Sequence, residues 1–384
     1  MRVLIATVTA GAGHVQAAAA LEEAWRALRP GDDLKRIDVL DFTSRLYRKT
    51  YVDGYVKLVK HAPDLWALMF KKADNPTFLR RISRLRRTLA RLPTGRFARE
   101  MKRFAPDVAL STHFLPPEIL GRLREASRGP TPLMASVVTD FEAHALWMEP
   151  SVDLYCVAAE ETKARLVARG VGADSVCVTG IPIAAKFFAT TDAAAIRKRM
   201  GLRDDLPVLL VLGGGFGMGP VVEILTALNR FESAAQIVVV CGRNEELRRE
   251  VATLDHRHPT HVLGFASNMH ELMAVADLIL TKPGGMTTSE ALALGKPMLI
   301  LDPIPGQEAA NSDFLLEQGV AAKVNRVEDL PFRLGRLLGS AKLTAMAKAA
   351  RSLGKPEAAR AIGERTLEEW TSREAWRRPR KESA

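Results

Sequence analysis

Short apolar runs recur along the chain, separated by stretches in which apolar residues fall three and four positions apart. The runs Val3–Val8, Ile37–Leu40, Val108–Ser111, Leu133–Val138, Leu154–Val157, Val176–Thr179, Val208–Leu212, Ile237–Cys241, Leu278–Thr281 and Met298–Leu301 predict strands. Several are apolar throughout, as parallel strands covered on both faces must be. Val15–Leu28 and Val221–Phe231 predict intervening helices. Strands alternating with helices imply a doubly wound α/β fold. The rhythm breaks across 187–207 and restarts at Pro207 with "PVLLVLGGG". The pattern therefore begins twice, each time with an apolar strand entering a glycine-rich loop. The expected architecture is two Rossmann-like domains facing a central cleft, with ligands at the carboxyl ends of the strands. The boundaries read as 1–190, 206–355 and a C-terminal helix with basic tail over 356–384.

Of the 384 residues, 47% are hydrophobic and 26% charged, a composition that folds and that at this length favours two cores. No apolar run reaches about 18 residues, so no spanning helix is expected. The opening "MRVLIATVTAGAGH" runs into glycines rather than a cleavage site and reads as a buried first strand. Cys156, Cys177 and Cys241 are odd in number and far apart, which fits reduced thiols and a cytoplasmic setting. The net charge of +11 favours an anionic partner, nucleic acid or lipid.

The charge is unevenly spread. Residues 78–104 carry Arg80, Arg84, Arg87 and seven further cations against the single acid Glu100, with Phe78, Ile82, Leu85, Leu89 and Leu92 at helical spacing. This is a basic amphipathic helix, either packed on its own domain or lying on anionic headgroups. Just upstream, "YVKLVKHAPDLWALMFKK" mixes Trp66 and Phe70 with lysines, as an interfacial surface does. No nucleic-acid motif accompanies the run, so the expected partner is anionic membrane lipid and not nucleic acid.

Candidate chemistry gathers at strand exits. In "TKPGGMTTSEAL" a strand enters a Pro-Gly-Gly turn and then a helix. Glycines admit close approach, and a helix mouth offers unpaired N–H groups and partial positive charge, so Gly284, Gly285 and Thr287 suit a diphosphate. Glu290, an acceptor when ionised, suits paired ribose hydroxyls; the plainer reading is a surface helix acid. Gly215 lies in the loop "GGGFGMGP", Arg243 and Asn244 follow the next strand, and "PGQEAAN" offers Gln307, Glu308 and Asn311 to sugar hydroxyls. Arg243 is the donor expected to stabilise the leaving diphosphate. His14, flanked by glycines after the first strand, can act as a general base, with Asp140 as the acid that orients it. His256, His258 and His261 lack a companion Cys or second carboxylate, and no metal site is expected.

Taken together, these motifs resemble the diacylglycerol glycosyltransferase family, the bacterial diacylglycerol glucosyltransferases and plant-type monogalactosyldiacylglycerol synthases. The resemblance runs through "GAGHVQAAAAL", "STHFLPPEIL", "VVTDFEAHALW", "GGGFGMGP", "LGFASNMHELM", "TKPGGMTTSEAL" and "PGQEAAN". It implies a GT-B fold and metal-independent, inverting transfer of glucose or galactose from a UDP-sugar to diacylglycerol, with no cofactor. It implies His14 as the base, uracil near Phe265 and Met269, ribose at Glu290, and hexose at Gln307 and Glu308. His113, Asp140, His144 and Trp147 match its acceptor motifs. A peripheral place on the inner face of the cell membrane follows from it. "GAGH" departs from plant-type relatives by Ala12, and the arginine run is unusually dense. Transfer to another lipid-linked acceptor, UDP-sugar epimerisation, and non-catalytic binding of an anionic lipid or nucleic acid are the competing readings.

Overall fold

The computed structural model describes residues 1–9, 11–75, 77, 95–126, 131–214 and 219–377. Two units emerge, Met1–Ala185 with Glu357–Ala384, and Lys186–Pro356. Each is built on its own parallel sheet.

The first sheet holds β1 (Arg2–Thr7), β2 (Asp33–Asp38), β3 (Val108–Ser111), β4 (Leu133–Val137), β5 (Leu154–Val157) and β6 (Val176–Val178) in the order β2-β1-β3-β4-β5-β6. The order reverses between β1 and β3, which pair in register Val3↔Val108 to Ala6↔Ser111. Apart from Arg2 at the start of β1, the inner strands are buried along their length, as their mostly apolar sequences require. Helix Ala12–Leu28 covers one face, burying Ala17, Ala18, Leu21 and Trp25. The last helix, Ala358–Arg377, returns to pack on it, and Ile362 joins the core around Trp25. Phe97 and Met101 of helix Gly95–Phe104 are buried against the other face. That helix therefore packs on its own unit, with Arg96, Arg99, Lys102 and Arg103 exposed.

The second sheet holds β7 (Val208–Leu212), β8 (Gln236–Val240), β9 (Thr260–Leu263), β10 (Leu278–Thr281), β11 (Met298–Leu301) and β12 (Ala321–Val324), ordered β12-β11-β10-β7-β8-β9. Counted from β7, this is the Rossmann strand order, reversing between β7 and β10. The GT-B class expected from the sequence is thus present as two doubly wound parallel sheets.

Three edge strands differ from expectation. The pattern places a strand at Ile37–Leu40, but β2 is Asp33–Asp38 and Val39–Phe42 form a 3₁₀ turn capped by Asp38. β9 and β12 were not predicted: "THVL" and "AAKV" are only partly buried and lack continuous apolar runs.

Helix Gly285–Ala293 is held from behind by the end of helix Ala341–Leu353. A Cβ on Gly354 would stand 2.5 Å from the carbonyl oxygen of Leu292, so only glycine permits this approach. Gly354→Ala is expected to cost about 1–3 kcal/mol and lower the denaturation midpoint. Gly31→Ala, whose added carbon meets nothing within 4 Å, is the control and leaves it in place.

Candidate active site

In the first unit the switch point carries a histidine cluster. Gly11 (φ 117°) turns the chain from β1 into helix Ala12–Leu28, with His14 in its first turn. His14 Nδ1 lies 2.7 Å from the Thr112 carbonyl and 3.0 Å from the Thr139 hydroxyl. A carbonyl only accepts, so Nδ1 carries the proton and Nε2 keeps its lone pair. The Thr112 hydroxyl in turn donates to the backbone carbonyl of His14 at 2.9 Å and lies 3.0 Å from the Thr7 hydroxyl. At Nδ1 the orienting acceptor is therefore a backbone carbonyl, in place of the Asp140 carboxylate the sequence suggested. The carbonyl comes from β3, the neighbour of β1, whereas Asp140 follows β4. Burial lowers the His14 pKa to about 4, the Thr112 contact opposing it, so the ring is neutral at neutral pH.

His113 is buried edge-on to His14, ring centroids 4.7 Å apart, and its pKa is well below the ordinary value through burial and then the His14 charge. Its Nδ1 accepts from Leu115 N at 3.0 Å. Trp147 stands 6.4 Å from His14 and 6.5 Å from His113. His144 Nδ1 accepts from Leu146 N, while Nε2 donates to the Phe70 carbonyl at 2.9 Å. The predicted acceptor residues His113, His144 and Trp147 thus share one wall with His14 or with Phe70.

Helix Pro63–Ala73 completes that wall. Phe70 packs on His144 at 4.1 Å and Trp66 on Phe70 at 5.6 Å. Trp66 and Phe70, expected at a lipid surface, are half-buried and face inward; Leu65, Leu68 and Met69 are the side chains that face solvent, each 50% exposed. Asp74, just past the helix, receives 2.7 Å bonds from Arg165 and Arg169 and 2.9 Å from Ala145 N. Burial opposes its ionisation, yet Arg169 and Ala145 hold its pKa at about 2. Arg80, Arg84 and Arg87 lie outside the described residues, as does Gly215.

In the second unit, the exits of β10 and β11 meet. Gly284 caps helix Gly285–Ala293, and Asn311 Nδ2 donates to the Pro283 carbonyl at 3.0 Å, pinning the turn. Glu308 Oε2 accepts from Ile304 N at 2.7 Å, and a Cβ on Gly284 would lie 3.8 Å from Glu308 Oε1. Gln307 begins the next helix after Gly306 (φ 94°). Thr287 is partly exposed at the helix mouth, whereas Thr288 is fully buried with no partner for its hydroxyl among the described residues. Glu290 is buried, not the surface acid of the plainer reading, and burial raises its pKa to about 8 against the attraction of Lys186. At neutral pH the Glu290 carboxyl is therefore protonated, able to donate one hydrogen bond as well as accept.

Further along the rim the Arg243 guanidinium lies 5.0 Å above the ring of Phe265, itself 63% exposed. Asn244 Oδ1 caps its own helix by accepting from Leu247 N. Met269 opens helix Met269–Val275, and the preceding loop is tied by Lys186 Nζ donating to the Ser267 carbonyl at 2.9 Å. His256 and His258 use Nε2 on backbone carbonyls of Val251, Leu228 and Phe231, and His261 lies on β9, which are structural placements. Sequence reasoning missed Thr112, Thr139 and Lys186. The first two sit inside the quoted motifs beside His113 and Asp140, but Thr112 acts through a backbone carbonyl, which leaves no trace in residue type, and the Thr139 hydroxyl reaches His14 only across the sheet.

Two family descriptions match: monogalactosyldiacylglycerol (MGDG) synthase over residues 14–183 and the glycosyltransferase family 28 C-terminal domain over 208–362. A processive diacylglycerol beta-glucosyltransferase of Bacillus pumilus is 37% identical over 237 residues, 61% of this chain and 62% of its own. Enzymes of the same name from Bacillus subtilis and Bacillus cereus are each 30% identical, covering 86% and 96% of this chain and 85% and 94% of theirs. Among solved structures, Acinetobacter baumannii MurG superposes with TM-score 0.63 at 18% identity, over 96% of this chain and 99% of its own. Staphylococcus aureus MnaA with UDP gives 0.62 at 14% identity, over 94% of each.

The raised Glu290 pKa has a direct consequence for stability. Folded protein holds this proton to about pH 8, and the unfolded carboxyl releases it near 4.5. The stabilisation is complete below the lower value and disappears as pH rises through the higher. From pH 5 to 9, wild-type protein should lose on the order of a few kcal/mol relative to Glu290→Gln in urea denaturation. Parallel pH curves for the two proteins would contradict the assignment.

Proposed function

The chain belongs to the diacylglycerol glycosyltransferase family, and from that premise we propose that it transfers glucose from UDP-glucose to the free hydroxyl of diacylglycerol. The choice of glucose rests on the glucosyltransferase names of relatives that are 30% identical across most of the chain. Their processive naming extends the proposal to a second round, in which the product's sugar hydroxyl becomes the acceptor.

The observation that carries the mechanism is the free Nε2 of a neutral His14, fixed by the Thr112 carbonyl. The diacylglycerol hydroxyl attacks the anomeric carbon as Nε2 takes its proton, and the carbon–oxygen bond to UDP breaks on the opposite face. A single displacement inverts an α-linked donor to a β-glycolipid. UDP departs onto the mouth of helix Gly285–Ala293, whose N–H groups and dipole compensate the diphosphate without requiring a metal. Glu290 takes the ribose hydroxyls, Phe265 and Met269 the base, and Gln307 and Glu308 the hexose. Asp140 belongs to the acceptor side, beside Thr139.

The acceptor is a lipid, and the outward face of helix Pro63–Ala73 suits that role. Leu65, Leu68 and Met69 lie three and four residues apart, hence on one face, with Lys71 and Lys72 exposed at the helix end. Inserting this face into the cytoplasmic leaflet would bring Phe70 and His144 to the level of the lipid hydroxyl, with the cations at anionic headgroups. The enzyme then works as a peripheral protein on the inner membrane face.

Two expectations follow. His14→Ala should abolish glycolipid formation while calorimetry shows UDP binding within about twofold of wild type, twofold being well under 1 kcal/mol; retained turnover would remove His14 as the base. Leu68→Ser with Met69→Ser should weaken sedimentation with anionic vesicles at least about tenfold, since each apolar side chain contributes about 1 kcal/mol or more when buried. Unchanged sedimentation would move the docking surface elsewhere.

A further inference from the structure

We infer that Lys282 is the side-chain cation that holds the leaving diphosphate, an assignment that rests on the donor-site reading above and extends it. Lys282 stands between β10 and the Pro283-Gly284-Gly285 turn, one step before the helix mouth. Its Nζ is 2.9 Å from Asp302 Oδ2, at the exit of the neighbouring strand β11. A Cβ on Gly219, just before helix Val221–Leu228, would meet its Cε at 3.4 Å, so the backbone at Gly219 lies against its stem. Gly219, the exit of β10 and the exit of β11 therefore meet at one lysine, and β10 borders the point where the strand order reverses and ligands of such sheets lie.

An ammonium has three donors, and Asp302 occupies one, leaving two for phosphate oxygens. Asp302 holds a left-handed backbone (φ 44°), a conformation that costs a non-glycine residue and that persists where the surroundings over-determine it. The Lys282 side chain is 22% exposed and that of Asp302 57% exposed, so the ion pair stands at the surface of the rim. Arg243, the cation expected from the sequence, leaves β8 on the far side of β7 and is stacked on Phe265. That places it with the base-binding loop. The hydroxyl of Thr288, in the first turn of the same helix, is fully buried and has no hydrogen-bond partner among the described residues.

The experiment is calorimetric titration of full-length wild type, Lys282→Met and Lys282→Arg with uridine, UMP and UDP. The assignment predicts that Lys282→Met weakens UDP about 10- to 100-fold, the range for losing a hydrogen bond to a charged group. Uridine affinity stays unchanged, which also shows that the variant is folded. Lys282→Arg recovers most of the loss, and raised salt weakens UDP more in wild type than in Lys282→Met. Equal weakening of uridine and UDP would make Lys282 a structural bridge between β10 and β11 and overturn the assignment. Unchanged UDP affinity in a wild type that binds UDP would overturn the lysine alone. Failure of wild type to bind any of the three would overturn the donor-site reading and this inference with it.

Discussion

Parallel pairing is the constraint on which the molecule depends. Every strand exit in a parallel sheet lies on one rim, and where the strand order reverses two neighbouring exits diverge and leave room for a ligand. In the first sheet the reversal falls between β1 and β3, and there the loop after β1 presents His14 to the Thr112 carbonyl. In the second it falls between β7 and β10, where Gly219 meets Lys282 at the head of the Pro-Gly-Gly turn. Residues far apart in sequence become hydrogen-bonded partners because topology brings their strands side by side.

Burial then sets the chemistry at these rims. It lowers His14 to about 4 and raises Glu290 to about 8, so both are neutral at physiological pH. A neutral imidazole can accept a proton, and a neutral carboxyl does not repel an incoming diphosphate. In the proposed donor site the charge of the diphosphate would be met by helix N–H groups already oriented before it arrives and by Lys282. Such preorganised groups need no rearrangement as charge moves to the leaving group. The wall built by Trp66, Phe70 and His144 shows the complementary design: one helix presents aromatic residues inward and aliphatic residues outward.

Much of this was legible in the chain. Strands buried on both faces announce themselves as apolar runs, so β3, β5, β7, β10 and β11 were placed to the residue. Edge strands β2, β9 and β12 were displaced or missed because half-exposed backbone tolerates lysine, histidine and aspartate. The glycine turn at 284–285 and the place of His14 at a helix mouth were visible because each follows an apolar strand through glycines. The burial of Glu290 was not visible, since a carboxylate in a helix reads the same whichever way it faces. Helix Pro63–Ala73 is apolar nearly all round, so periodicity could not say that Trp66 faces inward and Leu68 outward. The replacement of Asp140 by a backbone carbonyl at His14 Nδ1 was invisible in principle, for every residue owns a carbonyl.

The most direct test is to identify the product. Purified full-length protein is incubated with anionic vesicles containing diacylglycerol and UDP-glucose or UDP-galactose, without added divalent metal, and the lipid fraction is analysed by mass spectrometry and proton NMR. The account predicts a hexosyl diacylglycerol from UDP-glucose with a β-anomeric coupling and one UDP released per sugar transferred. UDP released with only free sugar, or an epimerised nucleotide sugar with no glycolipid, would contradict it.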